Sequence, residues 1–310
     1  MNILITGIHG FVGGNLVNSL KNKHSIYGLD IVTPAKDGVE KTYKWDELDK
    51  LPDIDAIIHL AGKAHDTKNQ TESQIYFDIN TGLTQKIYDW YLNSNARKFI
   101  FFSSVKAAAD VVVSDILTED IIPNPVGPYG ESKIAAENYI LQHLPKDKYV
   151  YIFRPCMIHG PGNKGNLNLL YSFIEKGIPY PLGAFDNKRS FTSIDNLSFF
   201  IDRVIDKDIE TGIYNIADDE PLSTNELIRL ICKALDRKPR IWNISKSLVS
   251  AGAKVGDILH LPLNTFRLNK LTENYVVSNK KIKESIGVEK LPVTSSDGII
   301  KTIKSFKKRN

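Results

Sequence analysis

Three glycines at intervals of three residues stand where the first apolar run of the chain ends. The run Ile3–Thr6 predicts a β-strand, and the segment Phe11–Lys23 predicts a helix. Between and within them lie Gly7, Gly10 and Gly13, which permit a tight turn and a close approach of the backbone to a ligand. The amides and the positive dipole end of such a helix suit a pyrophosphate. This stretch therefore predicts a strand–turn–helix unit that binds a dinucleotide.

An acidic residue ends the second predicted strand, Ile26–Asp30. Asp30 follows Gly7 by 23 residues, a position from which a carboxylate accepts hydrogen bonds from the adenosine ribose. Because the same negative charge repels a 2′-phosphate, Asp30 favours NAD over NADP.

Strand and helix signals alternate through the first half of the chain. Further strands are predicted at Ala56–Leu60, Phe99–Ser103 and Val150–Phe153, and further helices at Ile75–Asn93 and Tyr129–Leu144. Strands separated by helices of this length predict an α/β fold with a Rossmann-type, doubly wound parallel sheet. The pattern changes near residue 160, after which we expect a smaller mixed α/β C-terminal domain.

Composition excludes several classes of partner. The 310 residues carry 40 Lys and Arg against 36 Asp and Glu, so no nucleic-acid partner is expected. No apolar run approaches the roughly 18 residues of a membrane span, so no membrane partner is expected. Two cysteines are too few for a disulfide framework, and no signal peptide is evident, which predicts a reduced, cytoplasmic protein. The histidines lack metal-ligand spacing, so no metal is expected.

Tyr129 and Lys133 lie four residues apart on a predicted helix and therefore share a face. A tyrosine with an ordinary pKa near 10 is a poor base, but a neighbouring ammonium and a cationic nicotinamide ring would lower its pKa. A serine at the end of a buried strand, such as Ser104, can hydrogen-bond the same substrate oxygen. The three residues together indicate proton transfer coupled to hydride transfer.

With the segments HLAG, YGESK and RPCMIHGPG, these features make the chain resemble the extended short-chain dehydrogenase/reductase superfamily. The resemblance is to its NAD-dependent epimerase/dehydratase family, the relatives of UDP-galactose 4-epimerase. It implies that Ser104, Tyr129 and Lys133 are catalytic and that Tyr129 is the acid/base. Ser104 is preferred to Ser103 because it precedes Tyr129 by 25 residues, as in the family.

The resemblance also implies ligand-binding residues. The NAD site would be lined by Gly7, Gly10, Phe11, Val12, Gly13, Asp30, Ile31, Leu60, Ala61, Gly62, Asn80, Lys133 and Pro155. Candidates for the nucleotide-sugar substrate are Asn166, Arg189 and Arg267. Lys63 departs from the small residue common in the family and is a further candidate to face the substrate, with a solvated loop as the alternative. The planar guanidinium of Arg189 suits a diphosphate, and a structural salt bridge is the alternative for this residue.

The resemblance leaves several reactions open. We expect an epimerase that transfers hydride at C4 of a UDP-hexose or UDP-N-acetylhexosamine. The alternative is an NAD(P)H-dependent 4-reductase of a UDP-4-keto-6-deoxy sugar in capsule or O-antigen synthesis, and a non-catalytic NAD-binding scaffold is an alternative of another class. Dehydration is disfavoured because Val105 and Lys106 stand where dehydratases carry an acidic pair.

The resemblance finally predicts a domain division and an oligomer. Residues 1–163 would form the NAD-binding domain, with a returning segment near 189–216, and residues 164–310 would mainly bind the nucleotide sugar. Relatives pair two helices per subunit, here about 75–93 and 129–144, so a homodimer through a four-helix bundle is expected.

Overall fold

A computed structural model of the chain describes residues 1–63, 72–112, 114–163, 165–259 and 264–307. In chain order its strands are β1 (Asn2–Thr6), β2 (Ser25–Leu29), β3 (Lys41–Tyr43), β4 (Ala56–His59), β5 (Lys98–Phe102), β6 (Tyr149–Pro155), β7 (Met157–His159), β8 (Phe191–Ser193) and β9 (Gly212–Ile216). Seven strands form one parallel sheet in the order β3-β2-β1-β4-β5-β6-β9, and β7 pairs with β8. The order reverses between β1 and β4, which confirms the doubly wound α/β fold.

Helices connect the strands. In chain order they are α1 (Phe11–Leu20), α2 (Ser73–Tyr76), α3 (Leu83–Asn93), α4 (Val105–Ala108), α5 (Gly127–Gln142), α6 (Asn166–Glu175), α7 (Ile194–Asp206), α8 (Thr224–Ala234), α9 (Lys246–Leu259), α10 (Thr265–Thr272), α11 (Lys280–Ile286) and α12 (Ser295–Lys307). A short 3₁₀ turn spans Leu48–Lys50, and a π-helical segment, Phe77–Gly82, joins α2 to α3. Among the described helices, none has the length and apolarity to cross a membrane.

The structure confirms the predicted strands and helices of the first half, with one difference inside a helix. The single helix predicted at 75–93 is interrupted by the π-helical segment. A π turn holds one residue more than a regular turn and recurs at functional sites. It buries the side chain of Asn80, which a pattern of apolar residues does not reveal.

Apolar side chains pack in separate cores around the sheets. One core lies between the main sheet and helices α1 and α7, and a second lies between the sheet and helices α3 and α5. A third gathers α6, α8 and α12 with residues from α9 and α10. The main sheet is thus covered on both faces, and its carboxyl edge faces the loops in which the predicted site residues lie.

Candidate active site

The glycine turn forms the cradle that its sequence predicts. Gly7 has a φ of +67°, a conformation that favours glycine, and its amide donates to the Leu29 carbonyl at 2.9 Å. A Cβ on Gly13 would lie 2.7 Å from the Gly7 carbonyl oxygen. The residue before α1, Gly10, has no side chain to cap the helix. The first amides of α1 therefore suit an anionic group such as a pyrophosphate.

Asp30 lies at the edge of this cradle, and so does a lysine that sequence reasoning missed. The Asp30 carboxylate accepts hydrogen bonds from the amides of His9 at 3.0 Å and Ile31 at 2.7 Å. The Lys36 ammonium donates to the Ile8 carbonyl at 2.9 Å, and burial lowers its pKa against the opposing effect of Asp30. Nothing in the spacing of Lys36 marks it, because its position depends on the loop after β2.

A threonine joins the ends of β1 and β4. The Thr6 hydroxyl accepts hydrogen bonds from the amides of Leu60 at 3.1 Å and Ala61 at 3.0 Å. It also pairs with Nδ1 of His59 at 2.6 Å, and burial lowers the pKa of His59 to about 3. The buried His59 is therefore neutral, and it acts as a hydrogen-bonding partner where β1 and β4 end.

Asn80 and Gly62 meet beside α5. The Asn80 amide oxygen accepts from the Lys63 amide at 2.7 Å, and its nitrogen donates to the Ser132 hydroxyl at 3.0 Å. A Cβ on Gly62 would lie 2.9 Å from that Asn80 oxygen and 3.2 Å from Nζ of Lys133. The absence of a side chain at Gly62 keeps this part of the cleft open.

Other residues predicted for the NAD site lie at the same edge of the sheet. Phe11 and Val12 begin α1, Pro155 ends β6, and Ile31 follows β2 with 80% of its surface exposed. Strand ends and helix starts thus bring residues from separate parts of the chain to one rim.

Tyr129 and Ser104 are hydrogen-bonded to each other. Tyr129 lies in the first turn of α5, and Ser104 is the N-cap of α4, with its hydroxyl accepting from the Lys106 amide at 3.2 Å. The adjacent Ser103 instead contacts the Glu137 carboxylate. Ser104, rather than Ser103, is therefore the serine that contacts Tyr129.

Burial sets the protonation of this group. It raises the pKa of Tyr129, opposed by the hydrogen bond with Ser104, and it lowers the pKa of Lys133 to about 8, opposed by the charge of Glu137. The Lys133 ammonium donates to the Phe102 carbonyl at 2.8 Å. The expected lowering of the Tyr129 pKa is therefore not produced by the protein alone, where desolvation of the phenolate dominates. A cation in the filled cleft would have to supply it.

A buried ion pair between Glu137 and Arg154 lies close enough to Lys133 to raise its pKa, and sequence reasoning missed this pair. Glu137 lies four residues after Lys133 on the same face of α5, and Arg154 lies on β6. Nη2 of Arg154 lies 2.5 Å from Oε2 of Glu137, and Nε lies 3.0 Å from Oε1. Both side chains are at most 1% exposed. The repeat of four residues from Tyr129 through Lys133 to Glu137 was the available signal.

Arg189 is held by a salt bridge on the C-terminal side. Its Nη2 donates to Oε1 of Glu273 at 2.9 Å, just after the end of α10, the helix that carries Arg267. Asn166 begins α6, but its side chain lies outside the described part of the chain. Of the predicted substrate residues, Arg189 is thus linked directly to the segment that follows α10.

A second chain of charges links the same helix to Lys106, whose amide donates to the Ser104 hydroxyl. Lys270 on α10 lies 2.7 Å from the Asp110 carboxylate, which accepts from the Lys106 ammonium at 2.9 Å. Within the described ranges, no group of three or more His, Cys, Asp or Glu side chains is arranged to hold a metal ion.

Comparison with known proteins identifies relatives along the whole chain. A sequence profile described as the NAD dependent epimerase/dehydratase family matches residues 3–217. A UDP-glucose 4-epimerase from Vibrio cholerae is 31% identical, covering 100% of this chain and 96% of that protein. An N-acetyl-alpha-D-glucosaminyl-diphospho-ditrans,octacis-undecaprenol 4-epimerase from Escherichia coli O157:H7 is 25% identical, covering 91% and 85%.

Solved structures share the fold. The UDP-glucuronic acid 4-epimerase from Bacillus cereus, in complex with UDP-glucuronic acid and NAD, superposes with a TM-score of 0.78 at 20% identity, covering 100% of both chains. The matched profile runs from β1 to the residue after β9, and so includes every strand of the main sheet.

Proposed function

Because the chain belongs to the NAD-dependent epimerase/dehydratase family, we propose that it is a 4-epimerase of a UDP-hexose or UDP-N-acetylhexosamine. The family covers nucleotide-sugar epimerases and reductases, and its cofactor is NAD. The observation that carries the proposal is the hydrogen bond between Tyr129 and Ser104, with Lys133 one helical turn further on.

The residues of the glycine turn fit NAD. The first amides of α1 would hold the pyrophosphate, Asp30 would accept from the adenosine ribose, and Lys133 would lie beside the nicotinamide end. A Cβ on Gly62 would crowd the side chains of Asn80 and Lys133. The glycine therefore leaves space beside these two residues, which supports the binding of a ligand there. When bound, NAD would supply reversible hydride acceptance at sugar C4.

We assign the proton at the sugar C4 oxygen to Tyr129. As the phenolate, the Tyr129 oxygen removes this proton while the alcohol is oxidised and becomes a phenol, and it returns the proton when the ketone is reduced, while the Ser104 hydroxyl binds the same sugar oxygen. Rotation of the 4-keto sugar between these steps would expose its other face and invert C4.

Residues 164–310 would mainly bind the substrate, with Lys63, Asn166, Arg189 and Arg267 as candidate contacts. The guanidinium of Arg189 retains donors besides the one bound to Glu273 and is 27% exposed. A diphosphate can therefore be bound without breaking that salt bridge.

The surroundings of Ser104 disfavour dehydration. Val105 is buried in an apolar cluster, and the Lys106 ammonium is bound to Asp110. Neither side chain can supply the acid and base that expel water across C5 and C6.

A 4-reductase of a UDP-4-keto-6-deoxy sugar is the second candidate, since the same three residues protonate the C4 oxygen in reduction. The test incubates the purified chain, without added cofactor, with UDP-glucose and with UDP-N-acetylglucosamine. A parallel arm uses N-acetylglucosamine on polyprenol diphosphate, the carrier named for the E. coli relative.

Inversion at C4 without added NADH supports the epimerase. Turnover only of a 4-keto sugar, with consumption of NADH, identifies the reductase instead. If Tyr129→Phe leaves sugar turnover unchanged, the assignment of Tyr129 as the acid/base fails. Absence of turnover with every substrate, together with a biological activity that Tyr129→Phe leaves unchanged, would identify the NAD-binding scaffold instead.

A further inference from the structure

Helix α9 exposes apolar side chains beside the face that it buries. Its buried face consists of Val249, Ala253 and Gly256. Leu248, Val255 and Leu259 lie seven and four residues apart and therefore form a second stripe along the helix. These three and Ile258 are exposed by 50% to 76%. A surface helix normally has one apolar face, so this second stripe requires an explanation.

The neighbouring helix α10 extends this surface. It packs against α9, and its first residue, Thr265, hydrogen-bonds Asp257 of α9. It buries Leu268 and exposes Phe266 and Leu271. The α9–α10 apolar face consists of Leu248, Val255, Ile258, Leu259, Phe266 and Leu271. The four exposed residues of α9 lie along one side of that helix and indicate an interaction site, whereas Phe266 and Leu271, five residues apart, lie on different sides of α10.

The segment that carries this face has an excess of positive charge. Residues 240–272 contain five Lys and Arg and one acidic residue, Asp257, whereas the whole chain is nearly balanced. Of the five, Lys270 is paired with Asp110 and Glu273, which leaves four basic residues to provide the excess. Asp257 is engaged by the Thr265 amide at 3.0 Å, and Lys254 lies exposed on α9. Trp242, shortly before α9, is also exposed, and tryptophan is enriched where a protein meets a lipid headgroup layer.

We propose that the α9–α10 apolar face docks on an anionic lipid surface. Exposed Leu, Ile, Val and Phe beside Lys and Arg are typical of helices that lie in the headgroup region of a bilayer. A symmetric contact between two copies would set the excess of basic residues against itself.

This docking needs no membrane-spanning segment, so it replaces the expectation of no membrane partner, which rests on the lack of such a segment. It does not depend on the proposed reaction. It would bring the substrate side of the site near the lipid surface. Lys270 on α10 contacts Asp110, which is bound to Lys106, two residues after Ser104.

The test is vesicle flotation of the full chain. One set of vesicles is phosphatidylcholine with about 30% phosphatidylglycerol, and the other is phosphatidylcholine alone. We expect the chain to float with the anionic vesicles, to stay unbound with the neutral ones, and to be released by high salt.

The test variant Leu248→Ser/Ile258→Ser removes two exposed apolar side chains of α9, and we expect it to lower the bound fraction about tenfold. The control Val32→Ser/Ile122→Ser removes two exposed apolar side chains outside α9 and α10, and binding should match the unchanged chain. Circular dichroism checks that both variants fold.

Three results would overturn the proposal. They are no flotation of the unchanged chain, equal flotation with neutral vesicles, and flotation of the test variant at the level of the control. A dimer in light scattering that the test variant alone abolishes, without vesicle binding, would identify a second copy as the occupant. Assays of sugar turnover run without vesicles, so failure here is distinguishable from failure of the proposed reaction.

Discussion

Charged side chains around β5, β6 and α5 are buried and paired, whereas apolar side chains on α9 and α10 are exposed. The first region holds Glu137 against Arg154 with almost no solvent access. The second places leucine and isoleucine in water within a basic segment. The contrast teaches that the charged groups around Lys133 are held by contacts within the chain, whereas the apolar side chains of the α9–α10 apolar face lie open to solvent.

Breaking the buried pair should have the largest effect on stability. Glu137→Ala leaves Arg154 as an uncompensated buried charge, and we expect the free energy of unfolding to fall by about 3–5 kcal/mol. Denaturant unfolding measures the loss. The matched control, Asp195→Ala, removes the exposed salt bridge with Lys301 and should cost less than about 1 kcal/mol. Equal losses in the two variants would contradict the contrast between the regions.

Removing the phenol oxygen should abolish most of the turnover while leaving the fold intact. We expect Tyr129→Phe to lower kcat about 10²- to 10⁴-fold, because the proton at the C4 oxygen loses its acceptor and donor. Steady-state kinetics with the accepted sugar measures this. Tyr139→Phe, on the same helix but bonded to Asp89 at the surface, is the control and should retain activity.

The lowered pKa of Lys133 predicts opposite pH trends in activity and stability. Above about pH 8 the ammonium loses its proton, so activity should fall as pH rises. Burial of the charged Lys133 destabilises the folded chain at low pH. Above about pH 8 the folded chain releases this proton, whereas the unfolded chain keeps it up to the ordinary pKa of 10.5, so the destabilisation decreases as pH rises. Relative to Lys133→Met, the unchanged chain should therefore gain stability between about pH 8 and pH 10.

Rate profiles and denaturant unfolding across this pH range measure the two trends. A fall in activity centred well below pH 8, or a stability difference that does not change with pH, would contradict the assignment.

The smallest effect is expected at the cofactor's ribose. Asp30→Ala should reduce the preference for NADH over NADPH about tenfold, a change of about 1.4 kcal/mol, because the repelling charge is gone. Fluorescence titration of both cofactors measures it. Asp37→Ala, an exposed carboxylate on the same loop, should leave the preference unchanged. An unaltered ratio in Asp30→Ala would move cofactor discrimination to Lys36.

Local patterns predicted the sheet and much of the site. Strand, glycine turn and helix are consecutive in sequence, so Gly7, Gly13 and Asp30 could be placed in advance. Tyr129 and Lys133 share a helical face by spacing alone. The assignments of these residues to NAD or catalysis remain predictions, as do the domain division and the homodimer.

What the sequence did not predict depends on contacts between distant segments. Arg189 meets Glu273 across 84 residues, and Lys270 meets Asp110 across 160. Lys36 reaches the glycine turn through a loop whose course no periodicity encodes. Exposure of the α9 stripe likewise depends on what packs around the helix. Tertiary packing decides each of these.

The position of the Asn80 side chain depends on the number of residues in the π-helical segment Phe77–Gly82. Asn80 faces Gly62 and Lys133 because that turn contains one extra residue. Deleting a single residue there would restore a regular helix and rotate everything before it by about 100°. We therefore expect deletion of one residue in this stretch to remove the contacts of Asn80 with Lys63 and Ser132.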